Sequence, residues 1–413
     1  MGLELKSRSS WEVKDSLDEL AELTATAGGE VIGNGTQRLE APVAGTFIGP
    51  GKADELAQFC RKQDIDTVIF DDNLSPAQSR NLETVFNCKV LDRTSLILDI
   101  FARRARTREG KLQIELAQLQ YLLPRLTRFW NHLSRQKGGI GMRGDGETQL
   151  ETDRRRVQDR IARIGRELET VRQQRETQRA GRRRNLWPLA SIVGYTNAGK
   201  STLLNTLTGA AVLAEDKLFA TLDPTTRRLR LPTNQNVLLS DTVGFIRKLP
   251  HGLVEAFKAT LEEVVEAELL LHVVDLSHPQ VNEQILAVNA VLEEIGATNK
   301  PTLMVFNKTD CLGTEVLLSQ FLERFPNAVG VSAKTGDGMP ALLAELGSLL
   351  RPVRELVNLS IPHHEAAIIS RLHTSAQVLE RDYNGGTARF KARIPPHLRS
   401  EFESFIQPDE EPE

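Results

Sequence analysis

Residues 194–201 read Gly194-Tyr195-Thr196-Asn197-Ala198-Gly199-Lys200-Ser201, preceded by the apolar run LASIV and followed by the helical run STLLNTLTG. This is the G-x-x-x-x-G-K-[ST] pattern in the setting it needs, between a strand and a helix. Backbone N–H groups of such a loop, together with the helix N-terminus behind it, surround phosphate groups. Lys200 is placed for the β- and γ-phosphates and the Ser201 hydroxyl for Mg²⁺. The stretch therefore predicts an α/β domain with a mainly parallel sheet, and the rest of residues 185–352 agrees. Apolar runs NVLLSD, LLLHVVD, PTLMVF and NAVGVSA alternate with helical patterns across that span.

The other elements of a nucleotide site follow in order. Asp241-Thr242-Val243-Gly244 comes directly after NVLLS, so Asp241 can hold Mg²⁺ through water and Gly244 can meet the γ-phosphate. Asn307-Lys308-Thr309-Asp310 comes after PTLMVF. A carboxylate at Asp310 can accept from both N1–H and the 2-amino group of guanine, a pattern adenine lacks, so the sequence points to GTP and GDP. Ser332-Ala333-Lys334 ends another strand, where backbone N–H groups can meet guanine O6.

Two residues bear on hydrolysis. Phe245 stands where many GTPases carry a Gln that orients the attacking water. An apolar ring can neither donate nor accept, so intrinsic turnover should be slow. Asn197 places an amide oxygen inside the phosphate loop, where it can help hold K⁺ against the phosphates and supply the charge of an arginine finger. A mobile switch is expected at Phe219-Ala220-Thr221-Leu222-Asp223-Pro224-Thr225-Thr226, since a Thr hydroxyl there completes the Mg²⁺ shell only beside a γ-phosphate. On spacing alone Thr221, Thr225 and Thr226 compete for that place.

Outside this span the chain has further parts. Residues 1–100 alternate helical and strand patterns (WEVKDSLDELAELTATA, EVIGN, GKADELAQFCRKQ, DTVIFDD, SPAQSRNLETVF, CKVLD) and predict a small α/β domain with parallel pairing. Residues 101–184 carry two apolar stripes. Leu112, Leu116, Leu119, Leu123 and Leu126 form one; Val157, Ile161, Ile164, Leu168 and Val171 form the other. Steps of three and four flanking a short loop predict a coiled-coil-like αα-hairpin, with Pro124 breaking the first arm and a capping box at Thr148–Glu151 starting the second. Its tip, Gly138–Gly146 in GGIGMRGDGE, is glycine-rich. Residues 353–413 read as a small α+β domain, with a hairpin turn at Asn384-Gly385-Gly386 and an acidic tail.

Charge is segregated along the chain. Residues 101–190 hold 22 Lys and Arg against 10 Asp and Glu, although the whole 413-residue chain holds 52 against 55. One basic arm on an acidic protein favours a polyanion bound by that arm. Arg143 at the tip and Arg154, Arg155 and Arg156 behind it suit RNA, whose shaped grooves and unstacked bases admit a thin probe. A second glycine-rich stretch, Gly45 to Ala53, is one residue too long for a phosphate loop and lacks the hydroxyl. Three scattered cysteines give neither a disulfide framework nor metal spacing, no run is long and apolar enough to span a bilayer, and cytoplasm is the expected compartment.

The strings GTFIGPGKADEL, GGIGMRGDGETQLETDRRR, GYTNAGKSTLLN, LFATLDPTTR and DTVGFIRKLPHGLVEAFKATLEE resemble the HflX family of ribosome-associated GTPases, within the Obg-HflX-like translational GTPases. The resemblance spans roughly residues 30–350. It implies an N-terminal α/β domain, a helical hairpin, a GTPase domain and a small C-terminal domain. It further implies binding to the large ribosomal subunit and GTP-dependent splitting of stalled or idle ribosomes; a monomer with a role in stress response is expected. The FATLD string places the second Mg²⁺ ligand at Thr221 beside Ser201, and Phe245 matches the family's apolar residue at that position. The competing reading is a ribosome-assembly or dormancy factor whose GTP state gates docking without splitting. A tRNA-modification GTPase is disfavoured, because no one-carbon-cofactor or modification cysteine motif is present.

Overall fold

The computed structural model describes the chain except residues 7–9, 127–144, 184–186, 210–217, 220–221, 223–224, 249–260, 314–315, 351–354, 385, 395–398 and 408–413. The glycine-rich tip up to residue 144 and Thr221 thus lie outside the described residues. The chain forms two compact units. One contains Met1–Ala180, Glu215–Asp223 and Ile246–Leu261; the other contains Gly181–Ala214, Pro224–Phe245 and Glu262–Glu413.

In the first unit, α1 (Ser10–Thr26) buries Val13, Leu17, Leu20 and Leu23, a stripe at helical spacing. The α2 helix (Pro50–Gln63) opens on Pro, and α3 (Pro76–Phe86) opens on the Ser75–Gln78 capping box. Strands β1 (Gly2–Glu4) and β2 (Thr36–Arg38) pair in parallel, as do β3 (Thr67–Phe70) and β4 (Lys89–Asp92). The expected EVIGN strand does not form. Val31 and Ile32 stay exposed, and β1 pairs instead with the residues that follow Gly35. Phe70 is the centre of this core, with its ring 5.9 Å from Phe47 and 6.4 Å from Phe86.

Three further helices, α4 (Arg93–Arg104), α5 (Arg108–Leu126) and α6 (Asp145–Arg183), complete the unit. The hairpin stripes face inward, with Leu112 and Ile164 buried and the other stripe positions half-buried. A two-pronged ion pair joins the arms, Arg160 donating to Glu115 at 2.7 and 2.8 Å. Two local expectations are corrected. Pro124 lies inside α5 and leaves the helix unbroken to Leu126, where its described part ends. The Thr148 box lies inside the second arm, which is already helical at Asp145, where its described part begins.

The second unit is built on a six-stranded sheet in the order β10-β9-β8-β5-β7-β6. Its strands are β5 (Leu189–Gly194), β6 (Thr225–Arg230), β7 (Asn236–Asp241), β8 (Leu269–Asp275), β9 (Thr302–Asn307) and β10 (Ala328–Gly330). All neighbours run parallel except β6, which pairs antiparallel with β7 at the sheet edge. Every residue of β8 is buried, as expected of a strand covered on both faces. A four-stranded antiparallel sheet, β12-β13-β11-β14, follows, made by β11 (Glu355–Pro362), β12 (Gln377–Asn384), β13 (Thr387–Ile394) and β14 (Ile406–Gln407). Its core gathers Leu359, Ile361, Phe390 and Phe402.

Candidate nucleotide site

The phosphate loop leaves the C-terminal end of β5, where ligands of open parallel sheets bind. Two of its glycines are obligatory. Gly194 has φ 152°, and a Cβ there would lie 2.2 Å from the Val273 carbonyl oxygen; Gly199 has φ 91°, and a Cβ there would lie 2.2 Å from Asn307 Nδ2. Asn197 takes the left-handed region at φ 61° and is exposed at the loop apex. Its side chain makes no hydrogen bond among the described residues. The Thr196 hydroxyl is buried and has no hydrogen-bond partner there either, so it is open to a phosphate oxygen.

Helix α7 (Lys200–Thr208) starts at the end of this loop. Lys200 is buried and donates to the Tyr195 carbonyl at 2.6 Å, inside the loop it would serve. Burial pushes its pKa down to about 8, against an upward pull from Asp241. Phosphate oxygens around the ammonium would raise that value. Nucleotide affinity is therefore expected to hold steady up to about pH 8 and to fall above it by up to about tenfold per pH unit. Calorimetric titrations of GDP from pH 7 to 9.5 measure this, and a flat profile would contradict it. Nearby on β8, His272 is pushed down to about 4, first by burial and then by the Lys200 charge, so it stays neutral.

Asp241 ends β7 fully buried, and the Ser201 hydroxyl donates to its Oδ2 at 2.7 Å. Hydroxyl and carboxylate form an all-oxygen donor pair of the kind Mg²⁺ takes. Thr242 donates its hydroxyl to Ile192 O at 2.7 Å, which anchors the start of the following turn to β5. That turn is stitched to the phosphate loop, since Thr196 N donates to Phe245 O at 2.7 Å and Phe245 N donates to Gly194 O at 3.0 Å. Gly244 sits so close that a Cβ would lie 2.8 Å from Thr196 Cγ2 and 3.0 Å from Lys200 Nζ. Phe245 is buried, and Val243 with it, so neither offers a polar group to a water.

The base-recognition residues are held by an unexpected use of Asn307. Its amide donates to Ala198 O at 2.8 Å and accepts from Ala333 N at 2.9 Å, tying the phosphate loop to the Ser332–Lys334 turn. Lys308, at φ 63°, pairs with Asp275 at 2.7 Å. Thr309 N donates to Val331 O at 3.2 Å. Asp310 is exposed and accepts from the Ser332 hydroxyl at 2.6 Å, a bond that holds its carboxyl below the usual range. Asp275 and His272 were missed by the sequence reading, and only Asp275, a charge closing an apolar strand, left a usable signal.

The expected switch is placed only in part. Phe219 and Leu222 lie buried in the first unit, where the Phe219 ring stands edge-on to Phe101 at 4.5 Å. That side chain is committed to packing, which leaves its backbone for any other contact. Ala220, Thr221 and Asp223 are outside the described residues. No described helix is long and apolar enough to cross a membrane.

Three family models match the chain. One described as GTP-binding GTPase N-terminal covers residues 14–102, one described as GTP-binding GTPase Middle Region covers 104–182, and one described as 50S ribosome-binding GTPase covers 190–308. A GTPase HflX of Caldanaerobacter subterraneus subsp. tengcongensis is 47% identical over 402 residues, 96% of this chain and 92% of that protein. The GTPase HflX of Escherichia coli strain K12 is 50% identical over 384 residues, 92% of this chain and 90% of that protein. The crystal structure of SsGBP in complex with GDP is 26% identical and matches 84% of this chain and 97% of that one, at a TM-score of 0.48.

Proposed function

The chain belongs to the HflX family of GTPases, and from that footing we propose that it binds the large ribosomal subunit and uses GTP to dissociate stalled or idle ribosomes. The observation that supports this reading is a phosphate loop, an Asp241–Gly244 turn and guanine-recognition residues joined in one chain to a long basic arm. Helix α6 has 39 residues and so reaches about 58 Å. Arg154, Arg155 and Arg156 stand exposed along it, ready for RNA phosphates.

At the site, backbone N–H groups of Gly194–Gly199 and the Lys200 ammonium take the phosphates, and Thr196 supplies its free hydroxyl. Ser201 and Thr221 would hold Mg²⁺ directly and Asp241 through water; the ion neutralises phosphate charge when bound. Gly244 reads the γ-phosphate because nothing but hydrogen separates it from Thr196 and Lys200. Asp310 selects guanine, and the backbone of Ser332, Ala333 and Lys334 takes its O6. Phe245 contributes its backbone to the loop and nothing to the attacking water. That water is oriented by backbone groups, by a cation, or by the ribosome, so turnover waits for the partner.

The cation has a natural seat at Asn197, whose exposed amide is committed to no other group in the described structure. K⁺ there would add positive charge where it develops in the transition state. Steady-state turnover should be several-fold faster in KCl than in NaCl at equal ionic strength; equal rates would remove Asn197 from catalysis. The splitting reading is tested by adding the protein with a non-hydrolysable GTP analogue to intact ribosomes and sedimenting them. Free subunits are expected, whereas intact particles carrying bound protein would replace splitting with docking alone.

A further inference from the structure

The sequence reading placed Thr225 and Thr226 at the end of the switch and gave Arg227–Arg230 no element, whereas the structure makes residues 225–230 the strand β6, at the edge of the six-stranded sheet. Arg227, Arg228 and Arg230 are all exposed there, and Leu229 is the one residue buried. Residues 185–352 hold 13 Lys and Arg against 18 Asp and Glu, yet three of those cations fall within four consecutive positions. Edge strands often carry charge to block pairing with other strands. The β6 arginines go further, because one of them is pre-oriented. The Arg228 guanidinium lies over the Trp187 ring at 4.7 Å and donates to Asn236 Oδ1 at 3.0 Å. Arg227 and Arg230 have no ion-pair partner among the described residues, so their guanidinium groups are uncommitted.

From this geometry we propose that the β6 edge is a second nucleic-acid contact, taking the phosphate backbone of structured RNA in the large subunit. The proposal rests on the ribosome-binding reading above and adds to it a site on the GTPase domain itself. Guanidinium groups fit phosphates through paired N–H donors, which an ammonium cannot match. Arg228 and Arg230 are two residues apart on one face, about 6.8 Å along the strand, while Arg227 points to the other face. A phosphate backbone lying along the edge can therefore be held from both sides. Among the described residues no strand pairs with the outer side of β6, so its outward backbone N–H groups offer further phosphate donors. An acidic peptide adding a strand to this edge would also be attracted by charge. The paired N–H donors of three guanidinium groups favour phosphates, and the extracted-RNA arm of the test separates the two. The strand begins four residues after Thr221 in the sequence, so RNA held on β6 lies close along the chain to the proposed Mg²⁺ ligand. Partner binding and hydrolysis are thereby linked through a few residues of chain.

The test is Arg227→Gln/Arg230→Gln, which removes two charges and leaves the Arg228–Trp187 stack in place. Affinity for purified large subunits is measured from 50 to 300 mM KCl, with Arg324→Gln, an exposed arginine elsewhere on the same unit, as the control. The double variant should bind more weakly, with the salt slope reduced by roughly 1.5 to 2, and should lose most ribosome-stimulated turnover while basal turnover is unchanged. The same loss should appear with protein-free RNA extracted from those subunits. An unchanged slope and affinity in the variant, beside normal wild-type binding, overturns the β6 site alone. Loss on subunits but not on extracted RNA also overturns it, in favour of a ribosomal protein. Failure of the wild type to bind subunits would bring down the function reading and this site together.

Discussion

Replacing Asp310 with Asn is expected to abolish useful GTP binding and to create affinity for xanthine nucleotides. In the proposed site the exposed carboxylate would accept from two guanine N–H groups, and each charge-assisted bond is worth about 1.5–3 kcal/mol. An Asn presents a donor where one acceptor stood, so GTP affinity should fall on the order of 10²–10⁴-fold. Xanthine carries a carbonyl in place of the 2-amino group, and the Asn amide can donate to it. The Ser332 hydroxyl, 2.6 Å from Asp310 Oδ1, can donate equally well to an Asn oxygen, so the turn should keep its shape. Titration of the variant with both nucleotides measures the exchange. Retained GTP affinity would mean that the base does not sit at Asp310.

The second large effect concerns stability. Arg93 is 1% exposed and holds Asp71 at 2.8 Å and Glu19 at 2.5 Å, while Ser16 donates to the other Asp71 oxygen at 2.8 Å. Lys248 also reaches Asp71, and Arg247 reaches Asp15. Burial works to raise the Asp71 pKa, but the Arg93 and Lys248 charges and the Lys248 and Ser16 hydrogen bonds prevail and bring it below the ordinary value. A depressed carboxylate stabilises the fold at pH values above its unfolded pKa, and that contribution is lost as pH falls through the folded one. Arg93→Leu would leave two carboxylates without their buried partner, at a cost of about 3–5 kcal/mol. For a unit of this size the melting temperature should drop on the order of 10 °C. Adding Asp71→Leu should restore part of the loss by removing the stranded charge. Calorimetry of the two variants decides this, and an unchanged melting temperature for Arg93→Leu would contradict it.

The site was legible where a short string carries its own chemistry. The phosphate loop, Asp241 to Gly244, and Asn307 to Asp310 each follow an apolar strand, and the sheet places them together at its C-terminal ends. What could not be read were roles that depend on distant partners. Asn307 ties residues 109 and 26 positions away, and Arg93 meets carboxylates 22 and 74 positions away. Strand β6 escaped because only Leu229 turns inward, so its alternation is hidden among arginines and threonines. Three-residue strands such as β1 and β2 are too short to show a period at all. EVIGN misled for the opposite reason, since its apolar pair is exposed and the pairing begins after Gly35. The Thr148 capping string lies inside α6, because a local signal does not fix a helix end to within a residue or two.

The central claim is that a site lacking a catalytic Gln is completed by the ribosome. GTP turnover in potassium buffer, with purified large ribosomal subunits titrated from zero, tests it most directly. A steep rise that saturates with subunit concentration is the predicted result. A flat rate beside normal GTP binding would contradict the account and separate the partner from catalysis.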